Sequence, residues 1–146
     1  MACTKNYQDW TFHMFNDKKP GKSDTLKFCL KTELCIVTGT VSDQNGAPLS
    51  TDTRVKGIRL PIPDLGLRNA DGETVTDLMS LSFRWDKSAE NIRIQTMGTI
   101  SIDDSKVVKF QGRFRAYSEL LESIDDSRLL AGPDTGDTGT GSGTQT

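Results

Sequence analysis

The sequence predicts an all-β protein, an antiparallel meander closing into a barrel of about seven or eight strands. Three observations predict it. Residues 75–117 hold three successive segments of polar–apolar alternation joined by short polar turns, the pattern of half-buried antiparallel strands. Asn45-Gly46 follows an apolar run and supplies a strong hairpin signal. Gly39, Gly98 and Gly112 fall at inward positions of strands, where a missing side chain lets a sheet coil sharply or lets two walls approach. The alternative for the same glycines is a set of bulges in an open β-sandwich.

Taken in order, residues 10–15 (WTFHMF) read as a first strand, and NDKKPGKSD turns the chain at Pro20-Gly21. Residues 25–31 alternate, with Leu26, Phe28 and Leu30 on one face and Lys27, Cys29 and Lys31 on the other. Residues 34–42 (LCIVTGTVS) form a more apolar strand, to which residues 54–60 return. Pro61 and Pro63 end that ladder because neither donates an N–H, and the irregular stretch after them caps one end of the fold.

In the next three strands Met79, Leu81, Phe83 and Trp85 share a face, then Ile92, Ile94, Gly98, Ile100 and Ile102, then Val108, Phe110, Gly112 and Phe114. Met97 is the apolar residue on the opposite face. From Ser118 the period changes. SELLESIDDSRLL, residues 118–130, predicts a helix with Ser118 as N-cap, acids in its first turns, and Gly132-Pro133 as the stop. One domain, residues 1–131, therefore includes this helix. Residues 132–146, rich in Gly and Thr, have little to bury and read as a disordered tail that can be deleted without loss of stability.

The formal net charge of −2 hides an asymmetry. Residues 117–146 hold six acids against one base, Arg128, so residues 1–116 carry +3. That is far from the basic balance of a dedicated nucleic-acid binder, and nucleic acid is not an expected partner. Cys3, Cys29 and Cys35 lack zinc-motif spacing. Cys29 and Cys35 are placed to meet across adjacent strands, but an odd count with no signal-peptide pattern in MACTKNYQDW favours free thiols and a cytoplasmic protein. No apolar run reaches the roughly 18 residues of a membrane span.

The order of these elements resembles avidin-type barrels and the wider calycin group that includes lipocalins. The likeness runs from Trp10 to Tyr117: a Trp-bearing first strand, TGT before an Asn-Gly turn, a strand ending in Trp85, a Gly-containing strand ending in Asp103-Asp104, and a final strand. It implies a barrel with an interior ligand cup, and a helix after the last strand is similar to the lipocalin arrangement. The glycine that precedes the first-strand Trp in avidins is missing, as are their later pocket tryptophans, so the resemblance does not extend to biotin. VTGTVSDQNGAPLS is also similar to the first hairpin of transthyretin-like or carboxypeptidase-regulatory-like sandwich modules.

No catalytic constellation emerges. His13 is the only histidine, Asp103-Asp104 and Asp125-Asp126 fall in a turn and on the expected helix, and no spacing suits a metal or cofactor. A small β-barrel hydrolase or isomerase therefore ranks third. The first reading is a non-enzymatic binding protein whose interior, lined by Trp10, Met79, Phe83, Trp85, Phe110 and Phe114, takes a hydrophobic small molecule, with its mouth near residues 61–74. Against it stands a barrel filled solid by those side chains. The second reading is a structural or partner-binding sandwich that uses an outward basic stripe, Arg84, Arg93, Lys109, Arg113 and Arg115. The acidic segment 118–130 is placed to neutralise that stripe. Homo-oligomerisation through outward-facing Met97, Val37 or Val41 is a further expectation.

Overall fold

Alternation of large apolar and polar side chains produces eight strands: β1 (Gln8–Asn16), β2 (Ser23–Glu33), β3 (Ile36–Asp43), β4 (Arg54–Pro61), β5 (Thr74–Lys87), β6 (Glu90–Ile102), β7 (Val108–Glu119) and β8 (Ala131–Gln145). The structure is a computed structural model that describes residues 3–19, 21–63, 66–87, 90–119 and 131–146. Each strand pairs antiparallel with the next, and β8 returns to pair with β1, so the sheet is a closed barrel. Closure removes the open sandwich as an alternative: the first and last strands share a ladder from Trp10↔Gln145 to Asn16↔Gly139.

Two expectations for the C-terminal region change. Ser118 and Glu119 continue β7 rather than capping a helix, and the rest of the expected helix, residues 120–130, lies outside the described residues. The stretch read as a disordered tail is β8, bonded on one side to β7 and on the other to β1. Composition does not mark this strand, for a physical reason. β8 contributes backbone hydrogen bonds to two neighbours, and at its inward positions it contributes space instead of side chains. A Cβ on Gly143 would stand 2.6 Å from the Phe12 ring, and one on Gly139 would stand 2.3 Å from the Phe114 ring. The aromatic rings of the two neighbouring strands, Phe12 of β1 and Phe114 of β7, fill the room that β8 leaves.

Gly98 and Gly112 face each other directly across β6 and β7. A Cβ at Gly98 would lie 2.1 Å from the Gln111 carbonyl oxygen, so the two strands approach there more closely than any side chain permits. This is the coiling that the inward glycines predict.

The interior is packed. Trp10, Phe12, Phe28, Phe83 and Phe110 are almost wholly buried, and the Phe12 ring lies 4.7–5.8 Å from those of Trp10, Phe28 and Phe110. Each such burial contributes about 1.5–3 kcal/mol. One rim carries the β2–β3, β4–β5 and β6–β7 connections, and the opposite rim carries the β1–β2 and β3–β4 connections. At the first rim, inward Arg59 bonds Asp77 through Nε–Oδ2 at 3.1 Å. At the second, Leu49 joins the core and Ser50 donates to Asp86 at 3.0 Å. The Asn45-Gly46 turn forms with Asp43 accepting from the N–H groups of Asn45 and Ala47, but the chain then crosses the rim before β4 begins.

The cysteines are also corrected. Cys3 and Cys29 form a disulfide and Cys35 is free. Cys35 sits in the β2–β3 turn, whereas Cys29 pairs across β1 with Asp9 and across β3 with Thr40. Cys29 and Cys35 therefore do not meet. Among the described residues no helix is long and apolar enough to cross a membrane.

Candidate functional site

The alternation that builds the core runs out at the rim bearing the 17–22 and 44–53 connections, and a pocket of about 60 Å³ opens there. Its floor is apolar: Met14 from β1, Trp85 from β5, Ile92 and Ile94 from β6, Phe114 and Ala116 from β7. Asn16 and Asp24 stand at its edge. Register explains the grouping, since Trp85 faces Ile92, Ile94 faces Ala116 and Met14 faces Asp24 across their ladders. The pocket lies at the rim opposite the 61–74 stretch, which reverses the expected position of the mouth. At that other rim Arg59 and Asp77 occupy the inward positions.

The six residues read from the sequence as cup-lining divide into two groups. Trp10, Met79, Phe83 and Phe110 are buried in the core. Trp85 and Phe114 line the pocket. Met14, Asn16, Asp24, Ala116 and Thr96 were not singled out. Thr96 occupies the inward position next to Ile94 and faces Phe114 across β6–β7. It is 2% exposed, and among the described residues its hydroxyl has no hydrogen-bond partner. A hydroxyl buried without a partner costs about 1–3 kcal/mol, so the core directly beneath lining residues Ile94 and Phe114 holds an unmet demand for a polar atom. A threonine within an inward isoleucine row was the available signal.

The basic residues of the outer wall sit where the alternation puts them, and acids from turns meet two of them, Lys109 and Arg113. Arg84 Nε lies 3.4 Å from Asp86, and Arg93 Nη1 donates to the Ser82 hydroxyl at 3.0 Å. These two arginines face each other across β5–β6, an arrangement that needs such partners to offset like-charge repulsion. Lys109 reaches Glu73 at 3.0 Å and Asp103 at 3.4 Å, and these contacts, Glu73 first, raise its pKa above the usual lysine value. Arg113 donates to Asp17. The Thr138 hydroxyl and then Arg113 hold the Asp17 carboxyl below the ordinary range. Asp17 thus joins the β1–β2 turn to both β7 and β8. Arg115 is exposed. Ahead of β4, Arg54 holds Asp52 down to about 2, with a smaller contribution from Arg93.

His13 lies on the outer face with Nδ1 3.1 Å from Thr25 Oγ1, away from the pocket. Val37 and Val41 point inward and are buried, so of the three residues read as outward only Met97 is, at 70% exposure. Other apolar side chains do face out. Ile36 pairs with Ile58, and Leu60 pairs with Leu78, giving an exposed apolar patch over β3, β4 and β5.

Comparison of the chain with protein-family models, with curated proteins and with solved structures returned no match.

Proposed function

We propose that this chain is a non-enzymatic binding protein that holds a small apolar molecule carrying one polar atom in the rim pocket between Trp85 and Phe114. The observation that carries the reading is the buried Thr96 hydroxyl beside an apolar pocket with nothing to bond. Apolar walls supply affinity and a single placed polar group fixes orientation, which is the usual division of labour in small-ligand sites. The size suits a single ring or a short chain, since a cavity needs only about 10–15 Å³ to admit one water.

Thermal-shift and native mass-spectrometric titration with phenol and benzene tests this. Phenol binding is expected to raise the melting temperature, and Ile94→Trp, which fills the pocket, removes the effect. Thr96→Val weakens phenol about tenfold and leaves benzene unchanged, the cost of one lost hydrogen bond. Absence of both bound mass and thermal shift with the wild-type protein overturns the reading.

A second reading concerns partners and rests on the apolar patch. Ile36, Ile58, Leu60 and Leu78 are each about half exposed on adjacent strands. A contiguous apolar wall of this kind marks an interaction surface, and pairing of two copies wall to wall is the assembly proposed for it. Light scattering after size exclusion is expected to give a dimer that Ile58→Glu converts to monomer. A wild-type monomer at high concentration sinks the proposal.

A further inference from the structure

On the outer wall, away from the pocket, Asp9 of β1 and Cys29 of β2 are direct cross-strand neighbours. The segment before β1 brings Cys3 over them through a turn closed by Tyr7 N–H to the Thr4 carbonyl at 3.1 Å, with Asn6 in the left-handed region at φ 74°. The three side chains offer two sulfurs and a carboxylate oxygen, all within 4.8 Å of one another. All three residues are half-buried.

The carboxylate is held in place and poorly served. Asp9 Oδ1 accepts from the Cys3 N–H at 3.1 Å, which fixes its direction, and stands 4.0 Å from Cys29 Sγ. It also packs directly against Cys3 Sγ. A disulfide sulfur has no proton to donate, so in the oxidised form this oxygen faces an atom that gives it nothing. A metal ion between the sulfurs and the oxygen gives it a partner. Beside the cluster, Asp9 and Cys29 also line a groove of about 580 Å³ over β1–β3, which leaves room for a solvent ligand in a fourth position.

We propose that Cys3, Cys29 and Asp9 form a redox-gated site for a thiophilic divalent cation of the Zn²⁺ class, the disulfide being its closed state. Two equivalents of a thiol reductant carry two electrons to the S–S bond, leaving two cysteine thiols and one reductant disulfide. The cation then displaces the two thiol protons, and two thiolates and the Asp9 carboxylate coordinate it, with water as the fourth ligand. Thiolate and carboxylate donors in tetrahedral array suit zinc, at about 2.3 Å for sulfur and 2.0–2.2 Å for oxygen. The Cys3 N–H bond to Asp9 supplies the outer-shell orientation that such ligands use. Reduction frees only the segment ahead of β1, while the barrel stays closed by its β1–β8 ladder.

The test uses the full chain carrying Cys35→Ser, so that no third thiol competes. Samples are prepared oxidised and reduced by a phosphine and titrated with Co²⁺ and Zn²⁺. The reduced form is expected to take one ion per chain, with thiolate-to-cobalt charge-transfer absorption in the near ultraviolet, and the oxidised form none. Asp9→Asn is expected to weaken Zn²⁺ binding, since it removes the anionic oxygen donor, and Cys3→Ser to lower the charge-transfer intensity, since one of the two thiolates is lost. The oxidised-versus-reduced comparison is made on one chain and depends on no further variant folding. No stoichiometric uptake by the reduced protein, or uptake unchanged by oxidation, overturns the proposal.

Discussion

A chain ending at Leu130 does not fold. Deleting residues 131–146 removes β8 and with it both ladders that close the sheet, leaving β1 and β7 as open edges. It also removes Thr138, which bonds Asp17, and uncovers the Phe12 and Phe114 rings that lie against Gly143 and Gly139. The total stability of a domain is about 5–15 kcal/mol, less than the loss of one-eighth of a closed barrel together with its core contacts. The expected result is loss of the cooperative thermal transition in circular dichroism and collapse of amide dispersion in NMR spectra. A peptide of residues 131–146 added in trans is expected to restore part of that dispersion by adding a strand between the two edges. A truncated chain that melts like the full one shows β8 to be dispensable.

Phe12→Ala carries the second large effect. Its side chain is fully buried, its ring stacks at 5.1 Å on Phe110, and it occupies the volume vacated at Gly143. Truncation leaves a cavity that the closed wall cannot collapse to fill, and a loss of about 3–5 kcal/mol follows. Urea denaturation monitored by Trp fluorescence measures it, with Thr144→Ala on the exposed face of the same region as a control within about 0.5 kcal/mol. A Phe12→Ala chain within 1 kcal/mol of wild type, roughly the cost of a surface change, contradicts the packing described here.

What the residues disclosed beforehand depended on the kind of signal each element carries. β5, β6 and β7 were legible because large apolar side chains alternate with polar ones, so Met79, Leu81 and Phe83, then Ile92, Ile94 and Ile100, then Phe110 and Phe114, announce an inward face. β8 alternates just as strictly, with Gly139, Gly141 and Gly143 inward. Its signal is one of size rather than polarity, and hydropathy does not register it. The barrel was read correctly from the glycines of the middle strands, yet the strand that closes it passed for a tail.

The site was harder. Its position follows from which rim lacks an inward plug, and Arg59 looks like any outward cation until register sets it against Asp77. The disulfide joins a residue ahead of β1 to one in β2, a pairing that no local spacing marks. The stripe's cations lie on the outer wall, but two of their acidic partners, Asp17 and Glu73, come from turns far off in sequence, and only Asp103 is near its lysine in the chain.

Pairing between the first strand and the last has a consequence for biosynthesis. β1 emerges from the ribosome long before β8 and waits, with Trp10, Phe12 and Met14 in place, for the partner that completes its ladder. Until Ala131–Gln145 clears the exit tunnel the nascent sheet is an open ribbon with two bare edges, the condition in which neighbouring chains add to one another. The polar, uncharged TGTGSGT run, residues 138–144, is soluble while unpaired and has no bulky side chain to place. The last strand of the barrel is therefore also the one that can slide into its gap with least rearrangement of what has already packed.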